Sequence, residues 1–168
     1  MPYNINTNIE SNTETLIEDY NFANPSSFRL VIDNTKFKNV QFLVQQVAIP
    51  DISVTGANYA TPQRNILASG DKVDYSTLEC TFLIDENFIN YQEIHDWILA
   101  QVTEADDKKK TRDITLIIYT SHNNVAKQIQ FVDAHPTNLS SVPFDSALTD
   151  VEYLTANVSF TYSYYKII

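Results

Sequence analysis

A chain of 168 residues, 43% apolar and 19% charged, has room for one domain with a real core, and that composition excludes global disorder. Its 21 Asp and Glu against 11 Lys and Arg leave a formal charge of -10, which disfavours stable binding to nucleic acid or to an anionic lipid surface. The lone cysteine, Cys80, excludes an internal disulfide and a cysteine-based metal site, and no run approaches the roughly 18 apolar residues of a membrane span.

Residues 1–27 are polar and end in Asn24-Pro25-Ser26-Ser27, which reads as an arm that orders against a neighbour; a frayed terminus is the plainer alternative. The opening Met-Pro-Tyr-Asn-Ile-Asn has neither a basic nor an apolar leader segment, so a soluble protein made in a reducing cytoplasm is expected. Residues 28–168 form the expected β domain. Phe28 to Ile32 is a short strand, Asp33-Asn34-Thr35 a turn, and Val40 to Ile49 a second strand stopped by Pro50. With two glycines in the whole chain, tight turns fall to Asn34, Asn58, Asn123 and Asn124, which tolerate left-handed backbone.

Residues 51–75 are polar, carry Gly56, Pro62 and Gly70, and read as a long loop with one strand-like run at Ile66-Leu67. Loops of that length in a compact domain tend to be functional. Thr77 to Ile84 alternates, placing Leu78, Cys80, Phe82 and Ile84 on one face. A helix is predicted over 90–102. Asn90 and Glu93 form a capping box, Ile89 and Ile94 a hydrophobic staple, and Tyr91, Ile94, Trp97, Ile98 and Val102 an apolar face. A charged loop, 103–112, follows, with Lys108, Lys109, Lys110 and Arg112. Asp113 to Thr120 is a strand with Ile114, Leu116 and Ile118 on one face, and Ala126 to Ala134 is another, ended by His135-Pro136.

The last strand, 154–164, alternates most clearly. Leu154, Ala156, Val158, Phe160, Tyr162 and Tyr164 share one face, and Thr155, Asn157, Ser159, Thr161 and Ser163 share a wet, uncharged face. The fold class that emerges is mainly β: an antiparallel β-sandwich or open barrel with one packed helix.

The residues offer little catalytic chemistry. His95 lies in the predicted helix, His122 in a turn and His135 before a proline, and none accompanies a nucleophile elbow or a Gly-rich oxyanion turn. Cys80 sits on the apolar face of a strand, where a structural thiol is the expected reading. Asp85-Glu86-Asn87 and Asp106-Asp107 lack the alternating ligand spacing of a calcium loop. No enzyme activity, metal or cofactor is expected. A hydrolase using His95 or His135 is the weakest reading, and a tyrosine-rich module binding carbohydrate is an alternative.

Several pieces in order carry a resemblance: Ser27 to Ile32; Val40 to Pro50 with its apolar-Pro ending; Thr61-Pro62 and Gly70-Asp71-Lys72; Leu78 to Glu86 running into Asn90 to Trp97; and His135-Pro136-Thr137-Asn138-Leu139 before the alternating strand. Residues 27–165 resemble the tail tube proteins of contractile-tailed (T4-like) bacteriophages.

The resemblance implies a structural virion protein whose subunits form six-membered rings stacked into a hollow tube. Each subunit would give strands to one continuous barrel, through which the measuring protein and then the genome pass. It implies self-assembly as homo-hexameric rings, sheath and baseplate as further partners, DNA only in transit, and no membrane contact. The protein would be assembled in the host cytoplasm and reside in the virion tail. The cationic 103–112 loop and the long arm keep open a specialised ring, such as a tube initiator at the baseplate or a tube-end protein. The candidate interface residues are Tyr59, Thr61, Pro62, Gly70, Asp71 and Lys72 in a loop expected to reach an adjacent ring, with Tyr162 and Tyr164 on the terminal strand. Six copies would carry 6 × -10 = -60 formally, so a partly acidic channel is a further expectation.

Overall fold

A computed structural model of the chain describes residues 22–32, 40, 43–60, 63–103, 110–147 and 153–168. Among the described residues the strands are β1 (Phe28–Val31), β2 (Val44–Val47), β3 (Ile52–Val54), β4 (Ala57–Ala60), β5 (Asn65–Ala68), β6 (Val73–Tyr75), β7 (Leu78–Leu83), β8 (Arg112–Tyr119), β9 (Val125–Leu139), β10 (Thr155–Thr161) and β11 (Tyr164–Ile167). The helix α1 (Ile89–Thr103) accompanies them. The architecture is the mainly β, antiparallel one expected. Thr61 and Pro62, the 33–35 turn, residues 104–109 and most of the 1–27 arm lie outside the described residues.

The main sheet runs β1-β8-β9-β10-β7-β2, with β11 also on β9, and every pairing is antiparallel. It folds over on itself because β9 serves two halves. Val125 to Ala134 pairs with β8, and His135 to Leu139 with β10. The corner is Asp133, in left-handed backbone at φ 56°. Asp113 Oδ1 accepts its N–H at 3.2 Å, and its own Oδ2 accepts the Ser163 hydroxyl at 3.4 Å. A short polar side chain tolerates that backbone region better than most.

Alternation works here as physics requires. Leu78, Cys80 and Phe82 of β7, Ile114 and Leu116 of β8, and Ala156, Val158 and Phe160 of β10 are buried in one cluster. Leu30, Ile129 and Phe131 join them, and α1 closes the cluster with Ile94 and Trp97. The Trp97 ring sits 5.7 Å from Phe160, and its indole N–H donates to the Lys110 carbonyl at 2.7 Å. A buried indole thus keeps its polar edge satisfied.

Five readings need correction. The second strand starts at Val44 rather than Val40, which is buried ahead of it. The helix is capped by Phe88, not Asn90: the Phe88 carbonyl accepts the Gln92 N–H at 2.9 Å, and Phe88 has φ 56°. Asn90 is instead fully buried inside the first turn. Its Oδ1 accepts the Asp85 and Tyr91 N–H groups, and its amide donates to the Leu83 carbonyl at 2.6 Å, tying helix to strand. Ile89 is therefore an exposed helical residue rather than a staple, and Val102, 87% exposed, falls off the packed face.

The third correction concerns β9, which passes straight through Pro136. The ladder shifts register opposite it, between Ser159 and Phe160, and among the described residues this half of β9 has β10 as its one neighbour. A bulge beside an open flank is where a strand accommodates a residue with no N–H. Fourth, the terminal strand breaks between β10 and β11. The pairings Thr161↔His135 and Tyr164↔Val132 keep one register across the break, yet the bend at Ser163 shifts the alternation. Tyr162 and Tyr165 turn toward the core while Tyr164 is 46% exposed. Fifth, residues 51–75 are a paired ribbon rather than an irregular loop, and Asn58 lies in β4 rather than in a turn. Asn123 does take the left-handed turn position, at φ 59°.

Candidate assembly surfaces

The ribbon is an outgrowth of the β2–β7 pair. Val47 opposes Cys80 and Ile52 opposes Tyr75, five residues further along each strand, so β3–β6 continues the same register beyond the body. Ile52↔Tyr75 and Val54↔Val73 share one face, and Ser53↔Asp74 the other. The polar face is tied across by the Thr55 hydroxyl donating to Asp74 Oδ2 at 2.9 Å. The apolar face begins at Tyr75, packed on the core, and then runs outward through Ile52 (54% exposed), Val54 (54%) and Val73 (47%). Two strands alone are marginal in water, and an apolar face of this kind gains most from a covering partner.

Beyond the stem, β4 pairs with β5 as far as Ala60↔Asn65. The two ladders are out of step: two residues, Thr55 and Gly56, face four, Ser69 to Lys72, so the ribbon kinks there. Gly70 lies at the kink against the other strand. A Cβ at this position would drive into the Thr55 carbonyl and come within 3.2 Å of Val54 Cγ1, so glycine is required by backbone approach.

A second surface is the outer face of β9-β10-β7-β2. Thr155, Asn157 and Thr161 point outward and exposed, with Ser159 half-buried among them. They are knitted sideways: the Thr81 hydroxyl donates to Asn157 Oδ1 at 2.7 Å, and the Thr137 hydroxyl to the Ser159 carbonyl at 3.1 Å. The Asn157 N–H donates to Ser140 Oγ at 2.8 Å. The groove on this face is lined by Gln46, Thr81, Asn138, Ser140, Asn157 and Ser159 among others, and its titratable members are Glu79 and the buried Cys80.

The predicted interface residues divide among these regions. Gly70, Asp71 and Lys72 come together at the kink, and Tyr59 is exposed on the outer ladder. Tyr164 is exposed on β11, away from the ribbon strands in the pairing order. Tyr162 is buried within the protomer, and its hydroxyl donates to the Ser76 carbonyl at 2.7 Å, so it offers no surface to a neighbour. The exposed apolar residues Ile52, Val54 and Val73 are not among the predicted interface residues, although Ile52-x-Val54 and Val73-x-Tyr75 carry a short period of two.

The groups weighed for catalysis are poorly placed for it. Burial, with the Glu79 carboxylate beside it, pushes the Cys80 thiol from 9.0 up to about 12, which keeps it protonated and unreactive at neutral pH. The His95 ring is exposed beside Asp96 at 3.3 Å. Among the described residues no group of three His, Cys, Asp or Glu side chains could hold a metal ion, and no helix is long and apolar enough to cross a membrane.

No family model matches the chain, and no curated protein is similar to it in sequence. Its fold is similar to that of chains in solved injection-system and prophage assemblies. An extracellular contractile injection system, solved as the PVC sheath/tube terminator in the extended state, gives a TM-score of 0.68 at 16% identity, over 90% of this chain and 99% of that one. The anti-feeding prophage cap, described as the AFP tube terminating cap, gives 0.68 at 15% identity, over 94% and 98%. A PVC sheath-tube complex in the extended state gives 0.65 at 16% identity, over 93% and 97%. The likeness establishes a common fold along nearly the whole length of each chain.

Proposed function

We propose that this chain is a structural subunit that forms six-membered rings and stacks them into the hollow tube of a contractile tail or injection apparatus. The observation that carries this reading is the projecting ribbon, residues 51–75, with an apolar face left open along Ile52, Val54 and Val73. Such a face, on a strand pair that keeps the register of β2–β7, suits a head-to-tail contact with the next copy. The fold shared with the terminator, cap and sheath-tube assemblies supports the same reading. The sheet edges β1 and β2, each with one partner among the described residues, are where strands of neighbouring copies would join and close a barrel.

In such a ring the hydroxyl and amide face of β10 and β7 would line the channel. Within the groove on that face Glu79 is the one exposed acid, set among hydroxyl and amide side chains, so each copy would bring a carboxylate to a hydroxyl-rich channel. Sheath, baseplate and measuring protein would be the further partners, and the tail or tail-like particle the location. DNA or another passenger would touch the chain only in transit.

Deleting 51–75 tests the proposal: the protein should stay folded by circular dichroism and fail to build tubes, and normal tubes from the deletion would refute it. A terminal ring is the second reading, favoured by likeness to a terminator and a tube-terminating cap. The copy number per particle separates the two, six for a single terminal ring and a large multiple of six for the repeating subunit.

A further inference from the structure

The ribbon leaves the body at a fork. Leu78 and Phe160 are the last paired residues of β7 and β10; from there β7 leads back toward the ribbon, while the chain beyond β10 follows β9. Two residues past that pair on each strand are Ser76 and Tyr162, and at this point a side chain takes over from the ladder. The Tyr162 hydroxyl donates to the Ser76 carbonyl at 2.7 Å, across 86 residues of sequence. Ser76 also holds the ribbon's own base, its N–H donating to the Asp51 carbonyl at 3.3 Å.

An aromatic cluster surrounds this bond. Tyr75, the last residue of the ribbon's return strand, has its ring 6.0 Å from Tyr162 and 5.4 Å from Tyr165. Phe131 lies 5.0 Å from Tyr162 and 5.7 Å from Tyr165, which roots the cluster in the core sheet. Two of the three tyrosines come from the bend that separates β10 from β11. The bend at Ser163 lets Tyr162 and Tyr165, three positions apart, both face inward, which unbroken alternation forbids. Two of these contacts, Tyr75 with Tyr165 and Phe131 with Tyr162, are edge-to-face, a geometry that fixes relative ring orientation as well as adding stability.

We infer that Tyr162, with Tyr75 and Tyr165, is the mount that sets the direction of the 51–75 ribbon, and so determines how a subunit meets the next copy of this chain. The assembly part of this inference rests on the reading of the chain as a stacking subunit; the mount itself does not. Tyr162 is a positioning residue. It touches no neighbour, and a two-stranded ribbon without a fixed root would sweep a range of directions and lose most of its preorganisation for binding. The hydroxyl stays a donor over the physiological range, since burial and the nearby Tyr165 and Tyr75 rings push it up to about 12.

The test is Tyr162→Phe in the full-length chain, read by hydrogen–deuterium exchange and by the length of assembled tubes. Losing one hydrogen bond while keeping the ring should raise amide exchange in peptides spanning 51–55 and 73–76 by about tenfold. Peptides from β8 and the first half of β9 should be unchanged, and tubes should be shorter. Tyr75→Leu removes the ribbon's own ring and supplies the same comparison should Y162F lose its fold. Unchanged exchange in the ribbon peptides overturns the mount, even where the 51–75 deletion abolishes tubes. Faster exchange with tubes of wild-type length overturns its role in assembly and leaves the stacking reading to the deletion.

Discussion

One antiparallel pair runs through two environments in this molecule. Along β2–β7 it is clamped by β10 and buries Leu78, Cys80 and Phe82 completely; five residues further out, in the same register, it becomes β3–β6 and leaves Ile52, Val54 and Val73 open to water. The register is the same in the two stretches, although the strands are interrupted between them. What changes is whether the apolar face has something to pack against, and burial is the term that dominates stability. The inner stretch therefore stabilises the fold, and the outer stretch leaves an apolar face uncovered.

Substitution should separate the two stretches cleanly. The largest effect is expected in the body: Phe160→Ala removes a fully buried ring against Trp97 and should cost about 3–5 kcal/mol of unfolding free energy, measured by urea titration. A loss near that of a surface change would break the contrast.

Alkaline pH gives an intermediate effect. Burial raises the Cys80 thiol from 9.0 to about 12, and burial with its tyrosine neighbours raises Tyr162 from 10.0 to about 12. Both groups prefer their neutral form when folded, so the unfolded chain gives up these protons first. The stability they supply is complete below about pH 9 and is lost as pH rises from there to about 12. Cys80→Ala should flatten the lower part of that decline in thermal melts, and an unaltered slope would contradict the assignment.

The smallest effect on stability should come from the ribbon. The double change Ile52→Ser with Val54→Ser should leave the unfolding free energy within about 0.5 kcal/mol of wild type, because both side chains are already half in water. The same variant should fail to form tubes at concentrations where wild type does. Reduced stability with intact assembly would invert the comparison.

The body was the legible part of the sequence for the same reason that it is stable. Strands packed on one face print a period of two, so Leu78, Cys80 and Phe82, Ile114 and Leu116, and Ala156, Val158 and Phe160 were all placed correctly. The ribbon carries two-residue repeats too short to stand out among polar neighbours, and its one strand-like run, Ile66-Leu67, gives no hint of the pairing with Asn58 and Tyr59. Pairing partners are long-range information that one strand does not encode.

Other errors were errors of local parity. The bend at Ser163 moves the inward position from Tyr164 to Tyr165, and no composition cue announces a bend in Thr-Tyr-Ser-Tyr-Tyr. Asn90 was a fair N-cap by residue type, yet its side chain is used one step later to join helix to strand, leaving Phe88 to start the helix at positive φ. Of the candidate interface residues, Gly70 could be justified only once the Thr55 carbonyl was seen lying against it.

In the proposed function the protomer joins copies of itself through an open ribbon. Negative-stain electron microscopy of the purified full-length protein, over a rising concentration series, tests it most directly. Rings with six-fold symmetry, and hollow rods built from them, are the predicted images. A strictly monomeric particle at every concentration would contradict the claim.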